Sequence, residues 1–109
     1  SAESNRAIQE NDVIGISIIS CWEIAMLVEK DRLRLSIDVQ DWINRALKYR
    51  GIKLIDLTPE IAVLATRLPG AFHKDPADRI IVASCLNLGI PLITLDRATR
   101  DWGYIHTVS

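Results

Sequence analysis

Several things are scarce in this chain, and each scarcity excludes a class. No run of apolar residues approaches the roughly 20 that a helix needs to span a bilayer, and the opening Ser1-Ala2-Glu3-Ser4-Asn5-Arg6 has no signal-peptide character. Cysteine occurs twice, as Cys21 and Cys85, with no CxxC and no metal-ligand spacing, which argues for buried free thiols in a reducing cytoplasm. Net charge is also nearly absent: 13 basic residues meet 14 acidic ones, for a formal −1. No overall field therefore draws in a polyanion, and any such substrate has to be held by a local patch or a bound cation. There is no GxGxxG and no P-loop, so a dinucleotide or nucleoside-triphosphate reading has no support. His73 and His106 lack partners at metal spacing, and Ser20 and Thr94 lack a Ser-His-Asp constellation. Repeats, low-complexity tracts and internal boundaries are missing too. The expectation is one soluble, cytoplasmic domain over residues 1–109, with no membrane association.

What is present is a regular alternation of strand-like and helix-like segments. Residues 3–11 read as a polar helix or its last turns. Val13-Ile14-Gly15-Ile16-Ser17 is a short β-branched run, a plausible buried strand. Ser20-Cys21-Trp22-Glu23 fits a capping box, opening a helix to about Lys30 that turns Cys21, Ile24, Ala25 and Val28 inward. Asp38 caps a second helix with the apolar stripe Trp42, Ile43, Ala46 and Leu47, ending near Gly51. Ile52 to Leu57 is a strand. Thr58-Pro59 opens a helix carrying Ile61, Leu64, Ala65 and Leu68, stopped by Pro69-Gly70. Asp75-Pro76 starts another, with Ile80, Ile81, Ser84, Cys85 and Leu88 inward and Gly89 as the stop. Leu92 to Leu95 is a strand, Arg97 to Trp102 a helical turn, and Ile105 to Val108 an edge strand. Strands and helices alternating at this spacing predict an α/β domain with a parallel sheet covered on both faces.

Three acids stand out in this scheme. Glu23 and Asp78 each fall three residues after a helix cap, and Asp96 leaves a strand. Each has an ordinary explanation. A glutamate or aspartate in the first turn satisfies amides and the helix dipole, and an aspartate after a strand seeds a turn. Together they mean more. Parallel strands end at one edge of a sheet, and the helices that follow them begin at that edge, so all three carboxylates project to one place. Clustered carboxylates repel, and a divalent cation offsets the repulsion. Oxygen-only ligands favour Mg²⁺ or Mn²⁺, and such a site suits phosphodiester hydrolysis. Arg79 and Arg97, each beside an acid, could hold that geometry, contact phosphate or form surface ion pairs. Trp22, Trp42 and Trp102 are most simply core or partner-facing aromatics.

Three segments in order carry a family resemblance: Ile16-Ser17 with Ser20-Cys21-Trp22-Glu23-Ile24-Ala25, then Asp75-Pro76-Ala77-Asp78-Arg79-Ile80-Ile81-Val82-Ala83, then Leu92-Ile93-Thr94-Leu95-Asp96. From about Asp12 onward the chain resembles a PIN domain, and within that family the VapC-type toxins of bacterial toxin–antitoxin modules. The resemblance implies a three-layer α/β/α fold with a parallel central sheet. It implies a Mg²⁺- or Mn²⁺-dependent ribonuclease in which Glu23, Asp78 and Asp96 are the catalytic, metal-binding acids, with Asp75, Arg79 and Thr94 as possible supporting residues. It also implies an RNA substrate, a small antitoxin protein as partner, and a homodimer. In one respect the chain departs from the pattern. PIN domains begin with a strand ending in aspartate, in a pattern like L-L-D-T-H, and no such segment occurs here. The domain is therefore expected to lack its usual first strand and first acid, as a portion of a longer product or as a shortened relative. The second reading is a catalytically inactive PIN-like remnant that binds an antitoxin or dimerises. A receiver-like domain would need a phosphorylatable aspartate at a strand end followed by a positioned lysine, and none is found.

Overall fold

The computed structural model describes residues 13–70, 75–93 and 107–108. The expected helix over residues 3–11 and the helical turn from Arg97 to Trp102 lie outside them. In chain order the elements are strand β1 (Ile14–Ser17), helix α1 (Ile18–Glu29), helix α2 (Val39–Leu47), strand β2 (Ile52–Ile55), helix α3 (Pro59–Thr66), helix α4 (Pro76–Leu88), strand β3 (Leu92–Ile93) and strand β4 (Thr107–Val108). The alternation read from the pattern is thus present.

Both strand pairings are parallel. β1 lies beside β2, with Ile14 opposite Ile52 and Ser17 opposite Ile55, and α1 and α2 form the crossover between them. β3 lies beside β4, with Leu92 opposite Thr107. Among the described residues these form two two-stranded parallel pairs, in keeping with the α/β fold expected. The β1–β2 pair is closely fitted at Gly15, where any Cβ would meet the Ile55 side chain.

Each helix is delimited by local chemistry. The Asp38 carboxylate accepts the Gln40 amide at 3.0 Å, and the Thr58 hydroxyl accepts the Ile61 amide at 3.2 Å. Helix α2 stops earlier than expected, at Leu47, and Gly51, with φ of 83°, serves the turn into β2. Gly89 closes α4 in the left-handed region, φ 65° and ψ 35°. The amides of Gly89 and Ile90 reach back to the carbonyls of Leu86 and Cys85, a Schellman closure.

The core sits where α3 and α4 meet. Ile61, Ala65, Leu68, Val82 and Ala83 form one buried cluster, with Leu64, Ile80 and Leu86 packed around it. Alanines at 65 and 83 let the two helices approach closely, and Ala83 is wholly inaccessible. Helix α4 also packs against α1. This double packing changes its expected face. Val82, Ala83, Ser84 and Cys85 are all buried, four successive residues that sweep most of the helix circumference at 100° per step. Ile80 and Ile81 are half-buried instead, and Leu88, in the last turn, is 49% exposed. The inward faces expected for α1 and α2 do converge: Cys21, Ile24, Trp42, Ile43, Ala46 and Leu47, with Ile16 and Ile52 of the strands, line an apolar cavity of about 160 Å³.

Ile61 is 1% exposed, while Val63 on the same helix is 46% exposed. Truncating Ile61 to alanine is predicted to cost about 2–5 kcal/mol in urea unfolding. Truncating Val63 should change stability by no more than about 0.5 kcal/mol.

Candidate active site

Strand β1 passes into α1 without a linker, and Ser17 serves both elements. Its hydroxyl accepts the Ile19 amide at 3.2 Å and so caps the helix three residues before Ser20, the expected cap. Burial of Ser17, at 8% exposure, favours this earlier start because it puts the polar side chain on an amide that would otherwise lack a partner. The shift matters for Glu23. Counting from Ile18, Glu23 is the sixth residue of α1, beyond the first turn, and no acidic residue occupies that turn. Its capping-box explanation is therefore lost, and its carboxylate gains little from the helix dipole.

Glu23 faces the start of α4, where the expected arrangement holds. Asp75 is the N-cap, its carboxylate accepting the Asp78 amide at 2.9 Å, with Pro76 next and Asp78 in the first turn. Asp75 is exposed, whereas Asp78 and Glu23 are half-buried. The Glu23 carboxyl is pushed above its ordinary value of 4.5, first by burial, then by the negative charge of Asp78, then by that of Asp75. Packing of α1 on α4 has thus brought three acids from two distant segments into one another's fields.

Arg79 is drawn into the framework. Its Nε donates to the Ala65 carbonyl at 2.9 Å, satisfying an acceptor at the C-terminal end of α3 and tying that helix to α4. Cys85 is buried, and burial raises its thiol to about 11, which suppresses the thiolate; Cys21 is half-buried on the apolar cavity wall. Asp96 and Thr94 lie outside the described residues, as do His73 and His106. Among the described residues no group of three His, Cys, Asp or Glu side chains is arranged to hold a metal ion. The donor chemistry nevertheless fits a hard cation, since Glu23 and Asp78 offer only oxygens, and a cation would offset the repulsion by Asp78 and Asp75 that adds to the effect of burial on Glu23.

One surface feature escaped the sequence reading in its detail. Trp22 is 55% exposed, immediately before Glu23. The signal was present, because position 22 falls outside the stripe of 21, 24, 25 and 28.

Comparison with known proteins bears on this geometry. A family model described as the PIN domain matches residues 1–102, a span containing all three motif segments. Ribonuclease VapC22 of Mycobacterium tuberculosis (strain ATCC 25618 / H37Rv) is 35% identical over 101 residues, covering 93% of this chain and 76% of the relative. No solved structure matches the chain. No helix of the described residues is long and apolar enough to cross a membrane.

Two stability measurements check the geometry. Because folding raises the Glu23 carboxyl above 4.5, its charged form works against the fold at neutral pH. Glu23→Gln is predicted to raise the melting temperature there, and the gain should shrink as pH falls through the raised value and vanish below 4.5, where both side chains are neutral. Arg79→Ala should cost about 1–3 kcal/mol at any of these pH values, by leaving the Ala65 carbonyl without its donor.

Proposed function

The chain belongs to the PIN-domain family, in its VapC-type branch, and from that premise we propose that it is a metal-dependent endoribonuclease, the toxin of a toxin–antitoxin pair. The observation that carries the reading is the meeting of Glu23 with Asp78 and Asp75, where burial first and then those two charges raise the Glu23 carboxyl, inside a chain 35% identical to a named ribonuclease.

In this reading Glu23 and Asp78, joined by Asp96 from the strand that follows α4, hold Mg²⁺ or Mn²⁺ and are the catalytic acids. Such a cation, held by these acids, would supply neutralisation of charge developing on the scissile phosphate and a more acidic water. The residues of the chain do the rest. Asp75 fixes the first turn of α4 through the Asp78 amide, so the Asp78 carboxylate is held on an ordered backbone. Arg79 locks α4 to α3 and keeps that turn from rotating. Half-burial of Glu23 and Asp78 limits competing water, which strengthens their pull on a cation. Thr94, two residues before Asp96 in the sequence, is a supporting residue of this reading. The protein acts in the cytoplasm as a homodimer, and a small antitoxin protein neutralises it by docking near the acids.

A second reading is an inactive PIN-like remnant that binds an antitoxin or dimerises. RNA cleavage decides between the two. The proposed enzyme cleaves single-stranded RNA with Mg²⁺ or Mn²⁺, stops in EDTA, and loses at least about 100-fold on Glu23→Gln or Asp78→Asn, since even partners behind metal ligands are worth roughly 10–100-fold. Cleavage that persists in EDTA, or that survives both substitutions, would overturn the assignment of the acids. Absence of cleavage with calorimetrically silent Mg²⁺ titration would favour the remnant.

A further inference from the structure

The indole of Trp22 is 55% exposed, one position before Glu23 on α1. On a helix, that offset turns it about 100° away from the acid, onto the shoulder of the same edge. Its neighbours on the helix surface define the surroundings. Ile18, four residues earlier, is 36% exposed; Ile19, Ala25 and Met26 are half-buried; Glu29, seven residues later, is exposed and charged. The outcome is one planar aromatic face, rather than the row of anchors at i, i+3, i+4 and i+7 that receives a partner helix. An exposed helical position with no packing role is better filled by alanine, leucine, lysine or glutamate, which favour the helix more than tryptophan does.

Charge sharpens the point. Glu23, Asp75 and Asp78 are acidic, the chain carries a formal −1, and the nearby Arg79 has its Nε committed to the Ala65 carbonyl. Among the described residues, the side chains brought into one another's fields here are the carboxylates of Glu23, Asp75 and Asp78, which cannot neutralise phosphate. Stacking of a nucleobase on an aromatic ring needs no positive charge and serves unpaired RNA bases of any sequence. We propose that Trp22 is a stacking platform for an unpaired nucleobase of the RNA substrate, within a nucleotide of the phosphate presented to Glu23 and Asp78. This rests on the ribonuclease reading and adds to it a substrate-binding residue that sets single-strand preference.

The test is designed so that stacking and chemistry fail separately. Binding of a fluorescein-labelled single-stranded RNA is followed by anisotropy in an Asp78→Asn background, which removes cleavage from the measurement. Trp22→Ala and Trp22→Leu should each weaken binding roughly tenfold, and Trp22→Phe should retain it within about threefold. An abasic nucleotide scanned along the RNA should reproduce the loss at one position with Trp22 present and have no effect there in Trp22→Ala. Urea unfolding midpoints should coincide for the four proteins, since the side chain is exposed. Equal binding by Trp22→Ala, or restoration by leucine, would overturn the proposal and assign the indole to a protein partner. Cleavage by the unsubstituted chain with Mg²⁺ is measured in parallel. Cleavage together with Trp22-independent binding overturns stacking alone, while a chain that neither binds nor cleaves RNA overturns both readings.

Discussion

Helix α4 is gripped from two flanks, and the rest of the molecule depends on that grip. Its middle, from Val82 to Cys85, is buried around nearly the whole circumference, with α3 on one side and α1 on another. Val82 and Ile61 are the largest fully buried side chains among the described residues, each contributing about 1.5–3 kcal/mol by leaving water. Small residues at Ala65 and Ala83 set the close α3–α4 distance, and the Arg79–Ala65 hydrogen bond fixes one helix along the other. Because α1 rests on the same helix, its position is settled together with the core.

That shared support is what brings the acids together. Glu23 and Asp78 are 55 residues apart in the chain, a separation read directly from their numbers. Nothing local holds them near one another. The interhelical packing does, and the Glu23 carboxyl is raised first by the burial this brings and then by the charges of Asp78 and Asp75. A fold that stabilises itself avoids crowding half-buried carboxylates, and strain of this kind collects at sites with work to do. The hydrophobic contact between α1 and α4 outweighs the repulsion, leaving a site whose electrostatic cost a cation would offset.

Much of this was legible from residue types and spacing. Caps at Asp38, Thr58 and Asp75, the proline after two of them, and the left-handed glycine at 89 are written in local chemistry, and each holds. The α3 stripe of Ile61, Leu64, Ala65 and Leu68 holds for the same reason, since that helix buries a single face. Pattern misled where two elements compete for the same residues. Ser17 and Ser20 are both competent caps, and the choice of Ser17 followed from its burial at the end of a paired strand. The buried face of α4 was drawn too narrow because periodicity assumes one packing partner, and α4 has two. Asp96 and Thr94, the third acid and its neighbour, lie outside the described residues.

The sequence by itself determined the alternation of parallel strands and helices, the helix boundaries set by caps, and the motif segments that place the chain in the PIN-domain family, because all of these depend on residues close together in the chain. Only the tertiary structure decided that Glu23 is not a capping residue, that its carboxyl lies within the field of Asp78 and Asp75, and that Trp22 stands beside it in solvent. Those facts are set by how α1 lies across α4. The physical reason is range: capping and turn chemistry act over three or four residues, whereas burial and Coulomb repulsion act through space and take effect once distant helices are packed.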